Sequence, residues 1–284
     1  MSENSPYIIT SEWLSEHLEQ DNLSIVDGSW YLPAMGRNAL AEYEEGHIPG
    51  AVFFDHDKIA DHTTGLPHSL PSPEFFAQNV GEMGISSHDM IIVYDGPGFF
   101  SAPRLWWMFK IMGAQNVFIL DGGLDGWKNE NRPLTTEKTV KSAKHFESKF
   151  QNEKVVTLQQ MRDIVSNNAM QIADARGRGR FTGEQAEPRA GMKSGHMPYA
   201  RNVPYSTLSK NGKFLSLVEL KEQLTLAGID PSKPVVTTCG SGVTAAVVAL
   251  ALESLGNETV SLYDGSWSEW GALPDTQVEK GEVQ

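Results

Sequence analysis

The chain has 284 residues, 40% hydrophobic and 21% charged, with a formal net charge of −13 and a single cysteine, Cys239. That length suits one large domain or two of ordinary size, with core enough to fold without covalent staples. The acidic balance disfavours nucleic acid and anionic membrane as partners, and one cysteine excludes both an intramolecular disulfide and a cysteine-based zinc cluster.

Taken in order, residues 11–20 (SEWLSEHLEQ) predict an opening helix, and SIVDGSW (24–30) a strand and its exit turn. GHIPGA (46–51) follows. Residues 91–95 (IIVYD) and 117–121 (VFILD) predict buried strands, and between them APRLWWMFKIMG (102–113) predicts a helix ended by Gly113. The first series closes with ILDGGLDGW (119–127). Polar, charged residues then run without a clear period and predict a surface linker. A second opening helix is predicted over 157–167 (TLQQMRDIVSN). After it come QIADARG (171–177), GHMPYA (195–200), PVVTTCGSG (234–242), a helix over 244–256 (TAAVVALALESLG) and LYDGSWSEW (262–270). No stretch approaches the roughly 18 uninterrupted apolar residues of a membrane span. The N-terminus has no charged region followed by an apolar run, so no signal peptide is predicted and the cytoplasm is the expected compartment.

Four blocks thus recur in the same order. His47 aligns with His196, Asp95 with Cys239, and Trp127 with Trp270. A period this long indicates duplicated domains rather than a solenoid. The expectation is two α/β domains, each a mainly parallel sheet flanked by helices. The first spans 1–136, a linker 137–153, and the second 154–284.

Cys239 ends a strand and opens CGSGVT ahead of a helix, at the sheet edge where open α/β folds place their sites. Gly240 and Gly242 permit close backbone approach. Successive amides and the helix dipole would form an anion-binding nest. A thiol there is expected to ionise below its ordinary pKa of about 8.5 and to act as a nucleophile. The first copy carries Asp95 in the same place, so one copy reads as active and the other as degenerate. A phosphatase loop would need an arginine six positions after the cysteine, where Ala245 stands.

These blocks resemble tandem rhodanese domains over about residues 8–273, and CGSGVTA resembles the active loop of 3-mercaptopyruvate sulfurtransferases. Thiosulfate sulfurtransferases of that fold usually carry two basic residues where this chain has Gly240 and Ser241. The resemblance implies a catalytic cysteine in the second domain, near the domain interface. It implies that a Cys239 persulfide forms as pyruvate leaves 3-mercaptopyruvate. The sulfur then passes to a thiol such as thioredoxin or a small thiol, or to cyanide, with no metal or organic cofactor. By the family's GRF and EPR motifs, Arg180 and Arg189 bind substrate, as fits a small anion that needs bidentate cations. Ser241 is a candidate for substrate contact or proton transfer. Gly242, Val243 and Thr244, with Gly240, would contribute backbone. An assisting first-domain histidine maps to His47, although the upstream acid of that arrangement is here Asn38. The alternatives are a thiosulfate sulfurtransferase and a non-catalytic rhodanese-like relay or binding module.

Overall fold

In the computed structural model, which describes residues 3–282, the two series form two five-stranded sheets. The first contains β1 (Ile8–Ile9), β2 (Leu23–Asp27), β3 (Ala51–Phe53), β4 (Met90–Tyr94) and β5 (Asn116–Leu120), in the order β1-β5-β4-β2-β3. The second contains β6 (Val155–Val156), β7 (Gln171–Asp174), β8 (Ala200–Asn202), β11 (Val235–Thr238) and β12 (Val260–Tyr263), in the order β6-β12-β11-β7-β8. Every pairing within both sheets is parallel. Parallel strands need crossover connections, and helices supply them on both faces. That is why β2 and β11 are buried at every residue. Asp95 and Cys239 each follow the middle strand of their sheet.

The helices after these middle strands, Ala102–Ile111 and Ala245–Ser254, are the most buried of the chain, with nine of ten residues inside in each. A helix apolar on every side has to be covered on every side. These two cover one another, so the cores of the two copies merge into one apolar cluster. Each fully buried Val or Leu there stabilises by roughly 1.5–3 kcal/mol relative to exposure. At the end of this seam Lys110 and Glu253 form an ion pair at 2.5 Å.

The copies also exchange loops. After β8 a short antiparallel hairpin, β9 (Ser209–Lys210) and β10 (Lys213–Phe214), reaches the first domain, where Phe214 N–H donates to Asp121 Oδ1 at 3.0 Å. After β3 the segment around His68 reaches the second domain, where Leu70 N–H donates to Asp264 Oδ2 at 2.8 Å. Asp121 and Asp264 open the matching DGGLDGW and DGSWSEW blocks, so the interface is reciprocal. The segment before Asn152 is a strap rather than a free tether. Lys144 and Lys149 amides bond Gly81 and Met112 carbonyls, and Phe146 packs edge-on against Phe76. Among the described residues no helix is long and apolar enough to cross a membrane.

Candidate active site

Cys239 stands directly after β11 and is only 2% exposed. Its loop is clamped by the DGSWSEW block. Cys239 N–H donates to Ser266 Oγ (3.2 Å) and Cys239 O accepts from Trp267 N–H (3.0 Å). Gly240 O accepts from both Ser268 N–H (2.8 Å) and Ser268 Oγ (2.6 Å). Gly242 has φ +79°, and a Cβ there would stand 3.0 Å from Asp264 O and 3.1 Å from Arg104 Nη1. Only glycine meets both constraints without strain.

Above the sulfur lies a cavity of about 60 Å³. Cys239, Gly240, Ser241, Val243 and Thr244 form its floor, and Thr244 is also the N-cap of the buried helix. Arg176, Arg180 and Arg189 line one side. Trp30, Leu32 and Phe100 close it from the first domain. Larger open hollows, such as one of about 1130 Å³ beside Leu217 and Asp230, lie away from the cysteine loop.

The three arginines are held differently. Arg176 is fully buried, bonds Asp174 and Glu187, and lies 4.1 Å over the Trp267 ring. Arg180 also pairs with Glu187, at 2.5 Å, and its Nη2 sits where a side chain at position 240 would go. Arg189 donates to Ser268 Oγ at 3.3 Å and makes no ion pair among the described residues. Burial, with the neighbouring charge of Arg180, lowers its pKa from the ordinary arginine value. All the predicted second-domain residues therefore meet around one cavity, except Gly242, which shapes the loop from beneath.

The first copy shows what this loop does with a carboxyl oxygen. Asp95 Oδ2 accepts the N–H groups of Phe100 (2.8 Å), Ser101 (2.7 Å) and Ala102 (2.8 Å). The loops share their glycine geometry, with Gly98 also at φ +79°. The corresponding amides in the second copy are those of Thr244, Ala245 and Ala246. Leu124 and Asp125 amides bond Asp95 O and Gly96 O as Trp267 and Ser268 amides bond Cys239 O and Gly240 O.

His47 is not brought to the cavity. Its Nδ1 meets Tyr43 O at 2.7 Å, its ring stacks on Tyr43, and its backbone bridges to Thr135. His196 repeats this with Phe181 and Glu279. Asn38 caps the helix Ala39–Glu45 through Ala41 N–H. These are braces of matching turns, which is why both copies keep the histidine.

Two first-domain residues that sequence reasoning passed over stand close to the site, one at the cavity-lining Trp30 and one at the loop. His68 sits at φ +57° with its ring edge-on to Trp30, and Asp57 Oδ1 is 3.3 Å from Nδ1 without hydrogen-bond geometry. Burial, then the charges of His56, Arg104 and Arg189, push its pKa down to about 3. Arg104, 1% exposed, donates to His68 O (2.9 Å) and Asp264 Oδ1 (2.6 Å) and reaches Gly242 O (3.5 Å). It ties the His68 segment to the cysteine loop. The available signal was negative: GLPHSLP stands where the second copy has its β9–β10 hairpin, but shares no sequence with it.

The same arrangement occurs in known proteins. A model of the rhodanese-like domain matches residues 10–130 and again 157–273. The chain is 42% identical over 277 residues to the 3-mercaptopyruvate sulfurtransferase of Escherichia coli K12, covering 97% of this chain and 99% of that protein. It is 38% identical over 285 residues to the thiosulfate sulfurtransferase of Rattus norvegicus, covering 97% and 96%. The crystal structure of Escherichia coli SseA, a 3-mercaptopyruvate sulfotransferase, superposes with a TM-score of 0.83 at 41% identity, over 93% of this chain and 99% of that one. With both copies matched and full-length relatives at this identity, the chain belongs to the rhodanese-like family.

Proposed function

We propose that this protein is a 3-mercaptopyruvate sulfurtransferase whose sulfur carrier is Cys239. The observation that carries the reading is the pairing of a buried cysteine with Arg189, a cavity-lining guanidinium that makes no ion pair among the described residues. A carboxylate bound there gains a charge-assisted contact without displacing a protein carboxylate.

The Cys239 thiolate attacks the thiol sulfur of the donor. A sulfur–sulfur bond forms and the donor's carbon–sulfur bond breaks, its electron pair leaving on the enolate of pyruvate. A proton completes pyruvate. The outer sulfur of the resulting persulfide sits among the amides whose counterparts hold Asp95. An acceptor thiolate, from thioredoxin or a small thiol, or cyanide, then attacks that sulfur and returns Cys239 as thiolate. Ser241, in the cavity floor, is the proposed proton donor to the enolate, and His68, edge-on to the cavity-lining Trp30, is the proposed positioning residue behind it. His68 is neutral near pH 7, so it adds no charge to the site. A reducing compartment, the cytoplasm, would keep this lone thiol free.

The test is pyruvate release from 3-mercaptopyruvate beside sulfite release from thiosulfate, both with cyanide as acceptor. A kcat/KM at least about tenfold higher for 3-mercaptopyruvate is expected, since a neutral loop offers less to a dianion. Equal values would make thiosulfate an equivalent donor. No product from either would leave a binding module.

A further inference from the structure

We infer that Glu187 sets donor specificity by cancelling the charge of Arg180 and fixing its guanidinium over Gly240. This rests on the sulfurtransferase reading above. The carboxylate is 4% exposed and lies between two guanidiniums. Oε1 accepts from Arg176 Nη1 (2.7 Å), while Arg180 places Nε 3.2 Å from both oxygens and Nη2 2.5 Å from Oε2. Arg176 is already matched by Asp174 on its other edge.

The charges that face the cavity therefore reduce to one. Asp174 and Glu187 offset Arg176 and Arg180, and Arg189 is left over. Beside the loop, Arg104 is matched by Asp264. A single positive charge suits a donor with one carboxylate and underserves a dianion. Ionisation of Cys239 adds the same charge to every donor complex and leaves the order unchanged.

The geometry gives Glu187 a second effect. A Cβ on Gly240 would stand 2.9 Å from Arg180 Nη2. Arg180 therefore occupies the space that a side chain at position 240 would fill, and Glu187 is what holds it there. The site has a guanidinium over Gly240 with its charge already spent. The first copy repeats the pair: Arg37 bonds Glu42 at 2.7 Å, and a Cβ on Gly96 would stand 2.8 Å from Arg37 Nη2. A pair kept beside a carboxylate that attacks nothing is not itself the source of catalysis, which fits a tuning role in the copy that reacts.

The experiment compares wild type, Glu187→Gln and Arg180→Gln at fixed ionic strength. The readout is the ratio of kcat/KM for thiosulfate, which leaves sulfite on sulfur transfer, to kcat/KM for 3-mercaptopyruvate. Glu187→Gln adds one net positive charge, which a dianion feels twice as strongly as a monoanion, and should raise the ratio roughly tenfold. Arg180→Gln removes one and should lower it. A merely structural role would depress both donors alike and leave the ratio where it was. An unchanged ratio in either soluble variant, or a fall in Glu187→Gln, overturns the inference. Should Glu187→Gln not fold, the direction of change in Arg180→Gln decides it. A wild type inert to both donors would instead overturn the sulfurtransferase reading.

Discussion

The two copies present the same loop with opposite occupants. In the first, three amides close on Asp95; in the second, Val243 and Thr244 line the cavity over Cys239. Strand, glycine turn, clamping block and Arg–Glu pair are common to both. What the second copy adds is the thiol, Arg189 and the buried Arg176 where the first has Ser29. The fold thus supplies an anion cradle twice. Activity follows from a nucleophile in one cradle and a spare cation beside it, while the other cradle is filled from within and its surroundings serve as interface.

That contrast is sharpened first at Arg189. Arg189→Gln removes the cation while leaving loop and thiol in place, and kcat/KM for 3-mercaptopyruvate should fall roughly a hundredfold, mostly through KM, as for a lost charge-assisted bond of about 2–3 kcal/mol. A drop confined to kcat would place the guanidinium at the reacting atoms instead. Next is the filled cradle. Asp95→Ala strands three buried amides and should destabilise by about 2–3 kcal/mol in denaturant unfolding, with activity of the folded protein retained. Asp95→Asn keeps an acceptor oxygen and should cost less. Lost activity in folded Asp95→Ala would mean that the first cradle does more than fill itself.

The first copy should also report on pH. Burial holds His56 at about 4 against an ordinary 6.5, so well above pH 6.5 it is neutral in folded and unfolded chains alike. As pH falls towards 4 the unfolded chain takes up a proton that the folded one refuses, and stability is lost, by about 2 kcal/mol at pH 5. His68 acts in the same direction. Asp27, raised to about 6 mainly by burial, acts oppositely, binding its proton first in the folded state and returning part of the loss. His56→Gln should therefore lose less stability than wild type between pH 7 and 5. Parallel curves would contradict a buried neutral imidazole. The smallest effect is expected at the interface, where His68→Asn should lower kcat about tenfold and His47→Asn should leave kcat unchanged once folded.

Much of this was legible in the chain because it is local or repeated. The doubled blocks give two parallel sheets, and CGSGVT with the GRF and EPR arginines gives one cavity. The reciprocal loop exchange was not legible, because Phe214 and Leu70 find their acceptors in the other copy, through contacts far apart in sequence. Arg104 hides inside an apolar helical pattern, and its partners Gly242 and Asp264 lie far along the chain. His47 drew notice through the family resemblance, while its repetition at His196 pointed to the brace that both copies form. His68 has no echo, and its placement depends on the domain interface. Glu187 stands in plain view two residues before Arg189, but which arginine it neutralises is decided only by the fold.

The most direct test is intact-mass measurement after 3-mercaptopyruvate is added without acceptor, on wild type and Cys239→Ser. One added sulfur on the wild type, none on the variant, and removal of the adduct by cyanide are predicted. An adduct that persists in Cys239→Ser, or pyruvate release by that variant at the wild-type rate, would contradict the account.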